Sequence, residues 1–153
     1  PEQTIAQQPG ASEHHTGYAM DMDLYENGVV ATFTGEGDYA WIYENAHKYG
    51  FVLRYQEGKE SVTGISPESW HFRYVGRGHA AYMAENSLTL EEYIDALEGC
   101  VRSTPRHVVI HRLTGDGAKR DLLAPLWSGD KKRVLNAVHH AFALRDVEQG
   151  SDL

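Results

Sequence analysis

Apolar and polar residues alternate from Tyr18 to Leu24, in Tyr-Ala-Met-Asp-Met-Asp-Leu, and period two predicts a strand with one buried face. Glu26-Asn27-Gly28 follows as a turn signal. The pattern then turns helical from Asp38 to Tyr49. Asp38 is the expected N-cap, Ala40, Trp41, Ile42 and Tyr43 are apolar in the first turns, and Gly50 is the C-terminal glycine. Phe51 to Tyr55 predicts a second strand, and Gln56 to Glu60 is polar and turn-like. Trp70 to Val75 is alternating and aromatic, which predicts a third strand. Gly78 to Asn86 predicts a short helix, and Thr89 with Glu92 three residues on forms a capping box that starts another. Beyond Cys100, His107 to Leu113 predicts a strand, and Gly115-Asp116-Gly117 breaks it. Asp130 to Arg145 predicts a helix, with Val134, Leu135, Val138, Ala141 and Phe142 at helical spacing. Pro1 to Ala11 is expected to be extended, and the polar tail from Glu148 to be frayed.

These elements predict an α+β fold: a small antiparallel sheet with flanking helices and a C-terminal strand–helix appendage. The length of 153 residues suits one domain, and 41% hydrophobic residues exclude wholesale disorder. No apolar run approaches the ~20 residues of a membrane span. The first residues, Pro1-Glu2-Gln3-Thr4, show no basic stretch and apolar core, so no signal peptide is expected. Cys100 is the single cysteine, which excludes an internal disulfide framework and any cysteine-cluster metal site.

The net charge of −8 argues against nucleic acid as a partner. Its distribution is uneven. Residues 1–100 hold five Lys/Arg against 16 Asp/Glu, whereas residues 101–153 hold nine against six. All nine tyrosines lie at or before Tyr93. The asymmetry suggests two unlike pieces joined near Cys100.

Nine histidines in a chain this short direct attention to metal chemistry. Ser12-Glu13-His14-His15-Thr16-Gly17-Tyr18-Ala19-Met20-Asp21 offers two histidines and an aspartate, and Glu68-Ser69-Trp70-His71 offers a carboxylate three residues before a histidine. Two imidazoles and one carboxylate make a common catalytic zinc set, with the fourth tetrahedral position left for water. A nearby carboxylate can take that water's proton, and Glu68 is placed for the task. Gly17 permits a turn that brings His14 and Asp21 to one point. Asp21 could equally be a solvated strand position, and Trp70 a core aromatic. His139 and His140 are neighbours on a predicted helix and face different directions, a poor chelate.

Residues 10–97 resemble the zinc D-alanyl-D-alanine carboxypeptidase family of the VanY type, which includes related L,D-carboxypeptidases. Its Ser-x-His-x-x-Gly-x-Ala-x-Asp motif is matched by Ser12, His14, Gly17, Ala19 and Asp21. Its Glu-x-Trp-His-x-Arg-Tyr-Val-Gly motif is matched by Glu68, Trp70, His71, Arg73, Tyr74, Val75 and Gly76. The resemblance implies Zn2+ held by His14, Asp21 and His71, with Glu68 as catalytic base. Ser12, His15, Trp70 and Arg73 would support the ligands or touch substrate. It further implies removal of a terminal D-alanine from peptidoglycan stem peptides, at the cell envelope or outside the cell. The family's upstream Ser-x-Tyr-Arg segment has no counterpart in Pro1 to Ala11, and Arg54 and Arg73 are the cations that could stand in for its arginine.

Residues 107–150 resemble the C-terminal end of a radical-SAM protein family. The run is His111 to Gly117, Leu123 to Ser128, Lys131, Val134-Leu135-Asn136, and Arg145 to Gly150. With one cysteine the chain cannot hold that family's cluster, so a packing role is expected for this segment. The expected organisation is therefore residues 1–98 as a truncated zinc carboxypeptidase-like domain and residues 99–153 as an appended strand–helix segment. The first functional expectation is a zinc carboxypeptidase. The alternative is a composite or binding module that holds zinc and turns over weakly or not at all. A truncated sheet would leave an edge exposed, which a homodimer would cover.

Overall fold

The computed structural model describes residues 12–110 and 139–153. The chain divides into two compact units, Pro1–Tyr93 and Ile94–Leu153. The extended stretch expected over residues 1–11 lies outside the described residues, as do residues 111–138.

In the first unit, strands β1 (Ala19–Asp21), β5 (Glu68–Tyr74) and β4 (Phe51–Tyr55) form an antiparallel sheet in the order β1-β5-β4. A second sheet pairs β2 (Asp23–Glu26) with β3 (Val29–Thr32). The helices are α1 (Ala40–Asn45), α2 (Glu60–Thr63) and α3 (Arg77–Glu85), and α4 (Leu90–Arg102) begins here and continues in the second unit. The expected antiparallel α+β character is what the structure has.

β5 is the central strand, paired on one edge with β1 and on the other with β4, and both of its faces are covered. His71 and Phe72 are adjacent, point to opposite faces, and are both buried. Phe72 lies edge-on to Phe33 at 6.1 Å and stacks on Tyr43 at 5.8 Å, arrangements that aromatic rings favour. The Tyr43 hydroxyl donates to the Ser69 carbonyl at 2.7 Å, and the Ser69 hydroxyl donates to the Phe33 carbonyl at 2.5 Å. The start of β5 is thereby tied to this aromatic cluster. Val52, Ala80 and Met83 form a neighbouring apolar cluster with Val75, Leu88, Leu90 and Tyr93 packed around it.

The strand expected over 18–24 is two strands. Alternation continues through the segment, but the chain changes partner at Met22, whose N–H donates to the Trp70 carbonyl at 3.0 Å. The residues after it leave β5 and join a hairpin. Glu26 pairs with Val29 across a two-residue loop, and Asn27 and Gly28 have φ of 52° and 83°. Two successive positive φ values make the tight turn whose twist suits a hairpin. Its return strand, β3, was not legible because Val29–Thr32 is exposed throughout and carries no alternation.

The helix expected over 38–49 is helical in three pieces: a 3-10 turn at Gly37–Tyr39, α1, and a 3-10 turn at Ala46–Tyr49. Asp38 is not its N-cap. Gly35 and Gly37, with positive φ, turn the chain before Asp38, and the cap position falls to Glu36. Gly50 closes the segment at φ 91°, and a Cβ there would stand 2.7 Å from a Tyr74 ring carbon and 3.0 Å from the Arg77 nitrogen. The turn-like segment 56–60 leads into the short helix α2. The capping box at α4 forms as expected: the Thr89 N–H donates to Glu92 Oε2 at 2.8 Å, and the Glu92 N–H to Thr89 Oγ1 at 3.2 Å.

In the second unit the strand expected over 107–113 is not formed across its described part. Residues 107–110 are turn and irregular backbone, and 111–113 lie outside the described residues. The Val108 N–H donates to the Pro105 carbonyl at 2.9 Å, and the Gln149 side-chain amide donates to the carbonyls of Pro105 and Val108 at 2.7 and 2.8 Å. A side chain thus takes the carbonyl that a strand partner would occupy. Residues 139–144 are helical, and the expected helix over 130–138 lies outside the described residues. The tail from Glu148 is not frayed. Gln149 holds the two carbonyls just named, Arg106 pairs with Glu148 at 2.8 Å, and the Asp152 N–H donates to the Arg102 carbonyl at 3.3 Å.

Candidate metal centre

The first motif folds as a tight turn feeding a strand. Ser12 caps the 3-10 turn Glu13–Thr16, and its hydroxyl accepts from the His14 N–H at 3.3 Å. Gly17, at φ 74°, ends the turn with its N–H on the His14 carbonyl at 3.0 Å and directs the chain into β1. Register does the rest. Ala19, Met20 and Asp21 pair with Arg73, Phe72 and His71, so Asp21 lies directly across from His71. Directly opposed residues share a sheet face.

Three donors converge there. Asp21 Oδ1 is 3.1 Å from His71 Nδ1 and 3.3 Å from His14 Nε2. The two imidazoles meet edge-on with centroids 4.8 Å apart. The ligand atoms of His14, Asp21 and His71 all lie within 4.8 Å of one another. Zinc bonds of about 2.0–2.1 Å in a tetrahedron set neighbouring donors about 3.3 Å apart; the two Asp21 spacings match that separation, and the widest donor pair, at up to 4.8 Å, would have to draw together around an ion. Exposure is graded across it: the His71 side chain is 6% exposed, His14 38% and Asp21 48%. A metal held here would be anchored from below and open towards solvent.

Glu68 joins the site through an irregularity in β5. Leu53 pairs with Phe72 but Tyr55 pairs with Glu68, so β5 carries two extra residues in this interval. A regular strand sends residues three apart to opposite faces. The irregularity instead brings Glu68 Oε2 to 3.3 Å from His71 Nδ1. Burial raises the Glu68 pKa, with His71 opposing and Asp21 reinforcing the shift.

Glu13 was not singled out in the sequence, although it sits between Ser12 and His14. Its Oε1 accepts from His71 Nε2 at 2.7 Å. Its Oε2 takes Arg54 Nε and Arg73 Nη1, each at 3.3 Å. Burial works to raise the Glu13 pKa, but the His71 hydrogen bond and the two guanidinium groups outweigh it and hold the pKa below the usual value. The only sequence signal for Glu13 was its place inside a metal-ligand motif. Arg73 also donates to Thr16 Oγ1 at 3.1 Å and lies 5.5 Å from the Tyr18 ring centroid. Trp70 is half-buried on β5, and its described role here is the backbone bond to Met22. His15 is exposed beside His14 and is not among the clustered ligands.

Residues 2–77 match the family model for VanY, D-alanyl-D-alanine carboxypeptidase. That stretch belongs to the VanY family. Residues 84–143 match the Radical SAM C-terminal domain. YodJ of Bacillus subtilis (strain 168) is 45% identical over 92 residues, covering 59% of this chain and 34% of YodJ. A D-alanyl-D-alanine carboxypeptidase of Enterococcus faecium is 46% identical over 89 residues, covering 58% of this chain and 28% of its own. The chain thus spans about a third of the length of these curated VanY-type relatives. The structure of the LdcB LD-carboxypeptidase, described with its peptidoglycan recognition, superposes with a TM-score of 0.53 at 43% identity, covering 60% of this chain and 44% of LdcB. No described helix is long and apolar enough to cross a membrane.

Proposed function

We propose that the chain is a zinc-dependent carboxypeptidase that removes a terminal D-alanine from peptidoglycan stem peptides. The convergence of His14 and His71 on the Asp21 carboxylate, at 3.3 and 3.1 Å, carries this reading. The VanY family membership of residues 2–77 supports the substrate class and a place of action at the cell envelope. His14, Asp21 and His71 would hold the ion. Bound zinc supplies Lewis acidity that polarises a carbonyl and lowers the pKa of water towards neutrality.

Glu68 is the general base. Its carboxylate lies at the edge of the ligand set, and its raised pKa brings it closer to neutrality, where a base both accepts and returns a proton efficiently. His71 is fixed from behind by Glu13, and His14 and Asp21 present their donors from the exposed side. We read residues 1–98 as the piece that carries this chemistry and residues 99–153 as a packing segment.

A second reading is favoured by one observation. Arg54 and Arg73, the cations beside the site that could meet negative charge on a tetrahedral intermediate, both bond to Glu13. Loss of one oxyanion donor commonly costs about 100- to 1,000-fold in rate. On this reading the protein holds zinc and turns over weakly.

One experiment tests both. Zinc is quantified in the purified full chain, and D-alanine release from a D-Ala-D-Ala-terminated peptide is compared with that of Glu68→Gln. Stoichiometric zinc with release well above Glu68→Gln supports the enzyme. Stoichiometric zinc with release no faster than Glu68→Gln leaves the binding module. Absence of stoichiometric zinc overturns both.

A further inference from the structure

We infer that Glu13 is the positioning residue that selects the metal-binding tautomer of His71. The inference rests on the zinc reading above for its purpose, but its geometry stands by itself. An imidazole offers a metal one nitrogen only if the other carries the proton. His71 turns Nδ1 towards Asp21 and Glu68, and Nε2 towards Glu13 Oε1 at 2.7 Å. Carboxylates, which accept and do not donate, face both nitrogens, but the Glu13 contact at 2.7 Å is shorter than those of Asp21 and Glu68 at 3.1 and 3.3 Å, so the geometry favours the hydrogen on Nε2 and leaves the Nδ1 lone pair for a ligand held by Asp21.

Glu13 is itself held. Arg54 Nε and Arg73 Nη1 both address Oε2, which leaves Oε1 to His71. Arg54 is anchored in turn by a bidentate pair with Glu91, at 2.9 Å to Oε2 and 2.5 Å to Oε1. Forked pairs of this kind fix orientation as well as charge. Arg73 is held by Thr16 and the Tyr18 ring. A chain of charge-assisted contacts therefore runs from Glu91 at the start of α4 through Arg54 and Glu13 to the buried imidazole. Groups that orient a metal-bound histidine in this way commonly contribute 10- to 100-fold in metal affinity.

The test uses the full chain with Glu13→Ala and Glu13→Gln. In the metal-free, 15N-labelled protein, long-range 1H–15N correlations report which His71 nitrogen is protonated. Wild type is expected to show the Nε2–H form, Glu13→Ala a mixture of both tautomers, and Glu13→Gln a smaller change, because its amide oxygen still accepts. Zinc affinity by chelator competition is expected to fall about 10- to 100-fold in Glu13→Ala. Glu13→Gln carries the comparison should the alanine variant fail to fold. Unchanged tautomer and unchanged affinity in the folded variants overturn the inference. Because the tautomer is read without metal, a wild type that fails to take up zinc overturns the functional reading and leaves the Glu13 result intact.

Discussion

Asp21 and His71 stand opposite each other across the β1–β5 ladder, with Asp21 Oδ1 3.1 Å from His71 Nδ1. Fifty positions of sequence separate them, and backbone register makes them neighbours. A one-residue slip of β1 would send Asp21 to the other face of the sheet, so strand pairing and ligand geometry are one constraint. Removing either partner is expected to abolish stoichiometric zinc. Asp21→Ala and His71→Ala, assayed by metal analysis after gel filtration, check this; full zinc in His71→Ala rejects the site.

Glu68 should separate binding from turnover. Glu68→Gln keeps the size of the side chain and loses the base. Zinc content is expected to stay at the wild-type level while D-alanine release drops at least about 100-fold, the usual scale for a general base. Equal loss of zinc and activity would instead make Glu68 a ligand.

Phe72 should matter to stability through packing alone. It is fully buried between Phe33 and Tyr43 on the face of β5 away from the ligands. Phe72→Ala is expected to cost about 3–5 kcal/mol through lost transfer energy and the cavity left behind. Urea unfolding of the metal-free protein measures it, and a cost below about 1 kcal/mol would show that the cluster collapses to fill the space.

Gly50 has no room for a side chain. Its φ is 91°, and a Cβ would meet the Tyr74 ring at 2.7 Å and the Arg77 nitrogen at 3.0 Å. Gly50→Ala therefore combines left-handed backbone strain with a steric clash and is expected to destabilise by about 2 kcal/mol or more. Thermal melting beside wild type decides it, and an unchanged midpoint contradicts it.

His79 gives a pH prediction. Burial lowers its pKa, and its Nδ1 lies 2.6 Å from the Tyr93 hydroxyl. Between the unfolded pKa of about 6.5 and the lower folded value, the unfolded chain binds more protons, so stability rises with pH. The contribution is complete above about pH 6.5 and is lost as pH falls through the folded value. The unfolding free energy of wild type relative to His79→Gln is expected to drop on going from pH 7 to pH 5. A difference that stays flat over this window shows that His79 does not contribute it.

Local signals carried much of the first unit. Phe51–Tyr55 formed as expected because the whole segment is apolar or amphipathic and bounded by Gly50 and a polar turn. The Thr89–Glu92 capping box formed because both of its hydrogen bonds close within four residues. The split at Met22 was hidden because alternation records which face a residue takes and not which strand it pairs with. The hairpin strand Val29–Thr32 was hidden because none of it is buried. In the second unit, the apolar run from His107 reads as a strand, yet the Gln149 amide occupies the Pro105 and Val108 carbonyls. No local pattern encodes a contact forty residues away.

The candidate ligands were legible because His14, Asp21, Glu68 and His71 sit in two short motifs whose residue types already suit a metal. The amino-acid sequence by itself determined those donors, the order in which they occur, and the turn at Gly17 that joins the first two. Only the tertiary structure decided that Asp21 faces His71, that an irregular β5 brings Glu68 round to the same face, and that Glu13 stands behind the imidazole between two arginines. The physical reason is range. Residue type and spacing fix chemistry and local geometry, whereas strand register and buried ion pairs join positions about fifty residues apart and exist only once the sheet has formed.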